Sequence, residues 1–276
     1  MQSQYEKDFI SVITPVWKPN FSQLKESLDS VINQTYKKLE IIVIYQKAEG
    51  YDEKFFQLMN DYTDKQIKVL TCPKGISIAR NQGIKHSRGE FIAHMDSDDV
   101  SEKDRFERQL KFKKENNYDV VGSWGYNISN EGKIIAKIQY PTKHVEIRKK
   151  IIFHNLILSS SVLMNRKMVD DVGLFDTQFS VCEDYDLWLR AMSKGYKFGN
   201  VPEFLIRIRE NPTSVTRGSA WREQRKISMK VRNRAIFRYG FCTPRDIFYH
   251  TLTPLSYFIS PKLILKIKKM LGWYQN

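Results

Sequence analysis

The first hundred residues alternate short apolar runs with segments of helical spacing, and this alternation limits the possible folds more than any other feature. Residues 23–33 and 76–84 carry apolar side chains at helical intervals. Four apolar runs are predicted to be buried strands: residues 9–15, 39–45, 67–70 and 91–95. Strands that are joined through helices favour a mostly parallel sheet with helices on both faces, so we predict an α/β fold.

An acidic cluster follows the fourth predicted strand. Asp96, Asp98 and Asp99 stand within four positions, and carboxylates this close repel one another unless a cation binds them. Asp96 and Asp98 share one face of an extended chain, so both can bind one hard divalent cation and leave coordination positions for phosphate oxygens. The alternative is a polar turn, because Asp and Ser are common in turns.

The rest of the chain predicts further helices and strands. Predicted helices cover residues 104–113, 144–151, 166–172 and 184–193. Predicted strands cover residues 120–138, with a hairpin turn at 130–133, and residues 156–164 and 198–208.

Charge and composition favour a globular protein with an anionic partner. The 276 residues carry a net charge of +14, and 41% of them are hydrophobic. No stretch of 18 apolar residues occurs, and residues 1–8 lack the apolar core of a signal peptide. The three cysteines, Cys72, Cys182 and Cys242, lie outside any metal-ligand spacing, so we expect a reducing, cytoplasmic setting.

Four motifs occur in a fixed order along the chain. They are SVITPVW at residues 11–17, GISIARNQGI at 75–84, MDSDD at 95–99 and CEDYDLWLR at 182–190. With these motifs the chain resembles the family 2 glycosyltransferases with the GT-A (Rossmann-like) fold, over about residues 9–215. The resemblance implies an inverting transfer from a nucleotide sugar, with UDP as the expected nucleotide and Mn²⁺ or Mg²⁺ as cofactor. The expected acceptor is a glycan hydroxyl, lipid-linked, in cell-surface polysaccharide synthesis.

The resemblance places the nucleotide sugar at the carboxyl ends of the strands. Asp96 is expected to face the ribose and, with Asp98, to hold the metal; for Asp99, capping of the next helix and a direct site role both remain open. Trp17 is a candidate to stack on the base, with core packing as the alternative. The full predicted donor set is Thr14, Pro15, Trp17, Tyr45, Gln46, Gly75, Arg80, Asn81, Asp96, Ser97 and Asp98.

The pair Glu183 and Asp184 opens a predicted helix. Carboxylates also favour helix N-termini electrostatically, which is the alternative interpretation. The resemblance assigns Asp184 as the catalytic base that takes the proton of the acceptor hydroxyl, with Glu183 positioning the acceptor. Trp188 and Arg190 on the same helix are candidates for the acceptor pocket, although Trp188 suits the core equally well.

Two positions depart from the family pattern. Tyr45 and Gln46 stand where the family usually carries a pair of Asp residues, so we expect Tyr45 to stack and Gln46 to hydrogen-bond a base edge. Residues 207–211 lack the His that often completes the metal site, and Arg209 there is a candidate to neutralise the diphosphate directly.

The chain becomes strongly basic near residues 213–219, which predicts a glycosyltransferase domain at 1–215 and a basic helical extension at 216–276. Residues 247–271 mix aromatic and aliphatic side chains with lysines, which suits an anionic membrane surface. We therefore predict docking through residues 243–276 on the cytoplasmic face of the membrane, with helices packed on the domain as the alternative.

Two other classes of protein fit some of these features. The high pI and interleaved aromatics fit a nucleic-acid-binding protein, but no nucleic-acid motif occurs and the acidic cluster would repel phosphate without a metal. A catalytically weak sugar-nucleotide-binding relative fits the changes at Tyr45 and Gln46, whereas Asp98 and Asp184 favour an enzyme.

Overall fold

The computed structural model describes residues 5–62, 67–210 and 221–256, together with positions 263, 266, 269, 270, 274 and 275. The strands are β1 (Glu6–Val16), β2 (Leu39–Gln46), β3 (Ile67–Cys72), β4 (Gly89–His94), β5 (Val100–Ser101), β6 (Val120–Ile128), β7 (Ile134–Ile138), β8 (Leu163–Asn165), β9 (Phe198–Arg209) and β10 (Tyr274–Gln275). The helices are α1 (Phe21–Ile32), α2 (Asp52–Asn60), α3 (Ile76–Lys85), α4 (Arg105–Asn116), α5 (His144–Lys150), α6 (Arg166–Val172), α7 (Glu183–Ser193), α8 (Trp221–Arg238) and α9 (Pro244–Ser256).

The strands form a single mixed sheet in the order β10-β7-β6-β8-β4-β1-β2-β3, with β5 and β9 attached beside it. Strands β3, β2, β1 and β4 all run parallel. Beyond them β8 is antiparallel to β4 and to β6, whereas β9 runs parallel to β6. The predicted α/β fold is therefore confirmed, and the carboxyl ends of β1, β2 and β4 meet at one edge.

Alternation along the central strands produces two apolar cores, one on each face of the sheet. On β2, Ile42 and Ile44 belong to one core, while Ile41 and Val43 belong to the other. Because both faces are covered, the buried stretches of these strands are mostly apolar, as in parallel strands between helix layers.

Two segments differ from the sequence-based prediction. Helix α2 was not predicted; it is short and buries only Phe55 and Met59, which is too few positions for a clear period. The strand predicted at residues 156–164 is mostly a loop with a 3₁₀ turn at Ser159–Ser161, and only β8 at its end joins the sheet. The hydroxyl of Ser161 donates to the carbonyl of Leu158, which favours a turn over an extended chain.

The basic extension packs on the sheet domain where the structure describes it. Val231 and Ala235 of α8, and Phe241 after it, join the apolar core that also contains Trp188. The carboxylate of Asp246 is buried and pairs with Arg148 of α5 at 3.2 Å. The predicted boundary at residue 215 lies outside the described residues, as do parts of the predicted membrane segment. Among the described helices, none is long and apolar enough to cross a membrane.

We expect Asp246→Ala to destabilise the protein, because the substitution leaves the half-buried Arg148 without its partner and removes the hydrogen bond from Thr243 at the start of α9. Loss of one member of a buried pair costs about 3 kcal/mol. Urea unfolding measures the change, with Lys25→Ala at an exposed ion pair as the control that should change little. Equal midpoints for both variants would show that the pair does not hold α9 in place.

Candidate active site

The acidic cluster lies in a tight loop between β4 and β5, and backbone contacts fix its shape. The amide of Met95 donates to the carbonyl of Ile13 at 3.1 Å, which continues the sheet for one residue after β4. The hydroxyl of Ser27 on α1 donates to the carbonyl of Asp96 at 3.0 Å. Asp96 and Asp98 are half-buried at the mouth of this loop, whereas Asp99 points inward and is buried.

Arg209, at the end of β9, holds this loop in place through several hydrogen bonds. Its guanidinium donates to the carbonyl of Asp98 at 2.9 Å and to the carboxylate of Glu26 at 2.5 Å. It also donates to the carbonyls of Ser129 and Asn130, while its backbone amide donates to Asp99 at 2.9 Å. Arg209 is buried and its guanidinium is taken up by these bonds, so it does not reach a diphosphate as predicted. The residue positions the acidic loop instead.

Arg80 on α3 joins two carboxylates that are far apart in the sequence. Its guanidinium donates to Asp96 at 3.1 Å and to Glu183 at 2.5 Å, and its side chain is only 3% exposed. The same guanidinium donates to the hydroxyl of Ser159 at 3.0 Å. Arg80 thus brings the acidic loop and the start of α7 together.

Asp184 stands at the N-terminus of α7 with both oxygens engaged. One oxygen accepts the amide of Tyr185 at 2.7 Å, and the other accepts the side-chain amide of Asn155 at 3.2 Å. Cys182, the residue before α7, has a φ of 61°, a left-handed conformation that non-glycine residues rarely adopt. The chain therefore turns sharply into α7, which presents two successive carboxylates at the helix N-terminus.

Burial dominates the electrostatics of these carboxylates. Burial raises the pKa of Glu183 to about 7 against the opposing effect of Arg80, and it also raises the pKa of Asp184. Burial and the charge of Asp96 raise the pKa of Asp98 to about 6. The site therefore holds acidic groups that are more basic than exposed carboxylates, which suits proton transfer and cation binding.

The residues present fit a divalent ion that receives part of its coordination from a substrate. Among the residues that the structure describes, no group of three or more His, Cys, Asp or Glu side chains is arranged to hold a metal alone. Mg²⁺, however, is usually held by one or two carboxylates together with substrate phosphates and water. Asp96 and Asp98 provide such a pair, and their mutual repulsion would be relieved by a shared cation.

Tyr45 and Gln46, which stand where the family usually carries two Asp residues, make different contacts in the structure. The ring of Tyr45 is fully buried and stacked on Phe55 at a centroid distance of 3.9 Å, and its hydroxyl donates to Asp52. Tyr45 is thus a core residue, and stacking on a base is not available to it. The oxygen of Gln46 accepts the amide of Gly75 at 2.7 Å, which ties the end of β2 to the start of α3.

The remaining predicted donor residues occupy different environments. Trp17 is 42% exposed just after β1, with the ammonium of Lys74 at 4.1 Å from its ring, so it is available for stacking. Ser97 is half-buried in the acidic loop. Thr14 and Pro15 are buried within β1, so they support the sheet edge at which the acidic loop lies. Both polar atoms of the Asn81 side chain bond to the backbone of Phe175, so Asn81 positions that loop rather than a ligand.

The two residues predicted for the acceptor pocket, Trp188 and Arg190, occupy different environments. Trp188 is fully buried, with its ring 6.4 Å from that of His94 and 5.9 Å from that of Phe198. Arg190 pairs with Asp186 at 2.8 Å and donates to the carbonyls of Val172, Gly173 and Leu174. Trp188 thus takes the core position that its sequence left open as the alternative, and the acceptor role of Arg190 stays a prediction. The period of α7 indicates its apolar face without showing which element covers it.

Two residues of the site were not predicted from the sequence. Ser159 accepts a hydrogen bond from Arg80, and Asn155 donates to Asp184. Ser159 lies in the segment predicted to be a strand, residues 156–164, and Asn155 lies just before it. Isolated Ser and Asn residues have no spacing that distinguishes them from turn residues, so only their position in the fold reveals the contact.

The comparison of the sequence with protein families places the chain in one family. The profile described as "Glycosyl transferase family 2" matches residues 11–173, which include the acidic loop and α3. The protein belongs to this family and is therefore a glycosyltransferase, which confirms the resemblance found in the sequence.

Individual proteins extend this result. Over 278 residues the chain is 26% identical to an uncharacterized glycosyltransferase, MJ1057, of Methanocaldococcus jannaschii, covering 97% of this chain and 94% of that protein. Over 243 residues it is 29% identical to the O-antigen biosynthesis glycosyltransferase WbnJ of Escherichia coli, covering 85% and 94% respectively. The crystal structure of S. aureus TarS 1-349 in complex with UDP aligns with a TM-score of 0.65 and 17% identity, covering 92% of this chain and 73% of that one, which shows a shared fold. The chain covers 41% of a longer TarS crystal structure.

Proposed function

We propose that the protein transfers a sugar from a UDP-sugar to a hydroxyl of a glycan acceptor, with inversion at the anomeric carbon. The observation that carries the proposal is the ion-pair bridge through Arg80, which holds Asp96 of the acidic loop beside Glu183 at the start of α7. A group that binds the leaving diphosphate and a group that activates an acceptor must be neighbours for a single displacement. The bridge makes them neighbours.

The similar proteins support the choice of substrates. TarS has been crystallised with UDP and with UDP-GlcNAc, and WbnJ is named as an O-antigen biosynthesis enzyme. Since the chain shares the family of WbnJ and the fold of TarS, we propose a UDP-sugar donor and a lipid-linked, cell-surface glycan as acceptor.

Asp184 serves as the base of the proposed reaction. Its carboxylate takes the proton of the acceptor hydroxyl while the hydroxyl oxygen bonds to the anomeric carbon from the face opposite the diphosphate. The bond from that carbon to the phosphate oxygen breaks, and the nucleoside diphosphate leaves with the electron pair. Asn155 and the amide of Tyr185 fix the carboxylate, and its raised pKa makes it a stronger base than an exposed Asp.

Asp96 and Asp98 are the residues that would hold a divalent ion, Mn²⁺ or Mg²⁺. When bound, the ion supplies positive charge to the departing diphosphate. Arg80 orients Asp96, and Arg209 fixes the backbone of Asp98, so both carboxylates are positioned before substrate binds. Glu183 keeps Arg80 in place and lies next to Asp184, where it can orient the acceptor.

A panel of nucleotide sugars tests the donor. Ligands that bind only the folded state raise the melting temperature, and the stabilisation grows with the logarithm of ligand concentration over Kd. We expect protection by UDP-sugars, larger with Mn²⁺ than without it, and less protection by GDP- or dTDP-sugars. Protection by another nucleotide alone would overturn the proposed base while leaving the enzyme class intact.

We expect Asp184→Asn to abolish transfer but to preserve donor binding, because the amide keeps the shape of the side chain and cannot accept the proton. The expected loss in turnover is about 10²-fold or more. Release of UDP in the presence of acceptor measures turnover, and calorimetry measures UDP affinity. In the wild type, the raised pKa of Asp184 means that activity is lost at higher pH than for an ordinary Asp as the pH falls. The exposed Asp171→Asn is the control, and wild-type turnover in Asp184→Asn would rule out this base.

We expect Asp98→Ala to lose the part of UDP-sugar affinity that depends on Mn²⁺, because only Asp96 then remains to hold the ion. Since the ion contributes several kcal/mol to stabilising the diphosphate, turnover should also fall by about 10²-fold or more. Calorimetric titration of UDP-sugar at increasing Mn²⁺ measures the effect, with the exposed Asp61→Ala as control. An unchanged Mn²⁺ dependence in Asp98→Ala would exclude this residue as a ligand.

We also propose that the extension docks the enzyme on the cytoplasmic face of an anionic membrane. In the described part of the extension, packing on the domain leaves some aromatic side chains exposed. Phe237 is 78% exposed on α8, and Phe248 is 58% exposed on α9. Arg238 and Arg245 are their close neighbours in the sequence. Exposed aromatics beside cationic side chains suit the headgroup boundary of an acidic bilayer, where a lipid-linked acceptor would be found.

Liposome flotation tests this docking. We expect the protein to bind anionic vesicles at low salt and to dissociate at high salt, because each cationic side chain near the surface contributes about 1 kcal/mol that salt screens. Phe237→Ser with Phe248→Ser should weaken binding, whereas Ile134→Ser, which is exposed on β7, should not. If the intact protein does not bind anionic vesicles at low salt, the docking proposal is wrong and the enzyme reaches its acceptor without this surface.

A further inference from the structure

A surface cavity lies apart from the carboxylates of the active site. It is shallow, open and about 390 Å³ in volume, between β6, β9 and the N-terminal end of α4. The residues that matter here are Glu102, Asp104, Arg108, Tyr126, Glu203 and Phe204. None of them was assigned to donor binding, acceptor binding or catalysis above.

Aromatic rings form the apolar part of this cavity. Tyr126 and Phe204 stack face to face, with ring centroids 4.5 Å apart and an interplanar angle of 17°. The ring of Trp124 lies 5.5 Å from that of Phe204, and its indole N–H donates to the carbonyl of Tyr140. All three side chains are half-buried, so part of the aromatic surface faces solvent. Rigid aromatic surface of this kind binds apolar faces at low entropic cost.

Paired charged groups surround the rings. Arg108 bridges Asp104, at 2.6 Å, and Glu203. Arg207 pairs with Glu102 at 2.6 Å. These side chains remain 28% to 47% exposed, so carboxylate lone pairs and guanidinium N–H groups are still accessible. Planar groups held in place by each other offer both donors and acceptors at fixed positions.

The charge at this cavity decides between classes of ligand. Three carboxylates, those of Glu102, Asp104 and Glu203, lie beside Arg108, Arg207 and Lys137, whose ammonium is 5.6 Å from the ring of Phe204. The charges at this cavity therefore balance, although the chain as a whole carries +14. An anionic ligand such as a phosphate or an acidic lipid headgroup would find no excess of positive charge. A neutral polyhydroxyl compound suits the site better, since hydroxyls pair with both carboxylates and guanidinium groups. The apolar C–H face of a sugar ring matches the aromatic surface.

The cavity is rigidly connected to the active site. Phe204 and Arg209 lie on the same strand, β9, about 17 Å apart at the usual rise per residue. Arg209 holds the acidic loop, and Arg207 pairs with Glu102 just after β5. We propose that this cavity is a second, non-catalytic site that binds neutral segments of a glycan chain. Such a site would hold a polymer close to the enzyme between transfers.

Direct binding tests the proposal without any donor, so its outcome is independent of the proposed transfer reaction. The full chain is titrated with neutral tetrasaccharides of glucose, galactose and N-acetylglucosamine, and binding is followed by saturation-transfer NMR and affinity electrophoresis. We expect at least one of them to bind, and Phe204→Ala to weaken that binding at least tenfold. Glu203→Gln keeps the side-chain shape and should weaken it about threefold.

Matched variants distinguish this cavity from other sugar-binding surfaces. Phe56→Ala removes an exposed aromatic ring on α2 and should leave binding unchanged, as should Asp184→Asn in the active site. Thermal melting confirms that each variant is folded. The proposal is overturned if no tetrasaccharide binds, or if binding ignores both Phe204→Ala and Glu203→Gln. It is also overturned if oligolysine, rather than a sugar, binds in a manner that depends on Glu203.

Discussion

The ion pairs of one buried arginine hold the active site together. Arg80 has little contact with solvent, so a guanidinium in its place must be balanced by carboxylates, and Asp96 and Glu183 provide that balance. This requirement ties the loop after β4 to the start of α7, although 103 residues separate Arg80 from Glu183. Asn155 and the backbone amide of Tyr185 then fix Asp184 next to the bridge. The positions of the other site residues follow from this anchor.

A second arginine performs the same task on the opposite side of the acidic loop. Arg209 uses its guanidinium to join the loop to the hairpin at residues 129–130 and to Glu26 of α1. Its charge is neutralised within the protein, so it serves to shape the loop. The two carboxylates that remain at the mouth, Asp96 and Asp98, are consequently preorganised, so the cation and diphosphate binding that we propose needs little rearrangement.

The surplus positive charge of the chain is distributed unevenly over its surface. Residues 217–276 contribute a large share of it, and the described part of that extension packs through Val231, Ala235 and Phe241 while exposing Phe237 and Phe248. The cavity beside β9, by contrast, is nearly balanced in charge. Packing on the domain and binding to a membrane are therefore compatible, because they use different faces of the same helices.

The sequence alone determined the α/β fold, the central strands with helices α1 and α3, the family, and the presence of Asp96, Asp98 and Arg80 at one edge. These follow from local periodicity and from short motifs, which act over a few residues. Only the tertiary structure showed that Tyr45 and Trp188 are buried, that Arg190 and Asn81 bind backbone, and that Ser159 and Asn155 join the site. Residue type states what a side chain can do chemically. Which surface it faces depends on contacts between segments distant in sequence, and these exist only once the chain has folded.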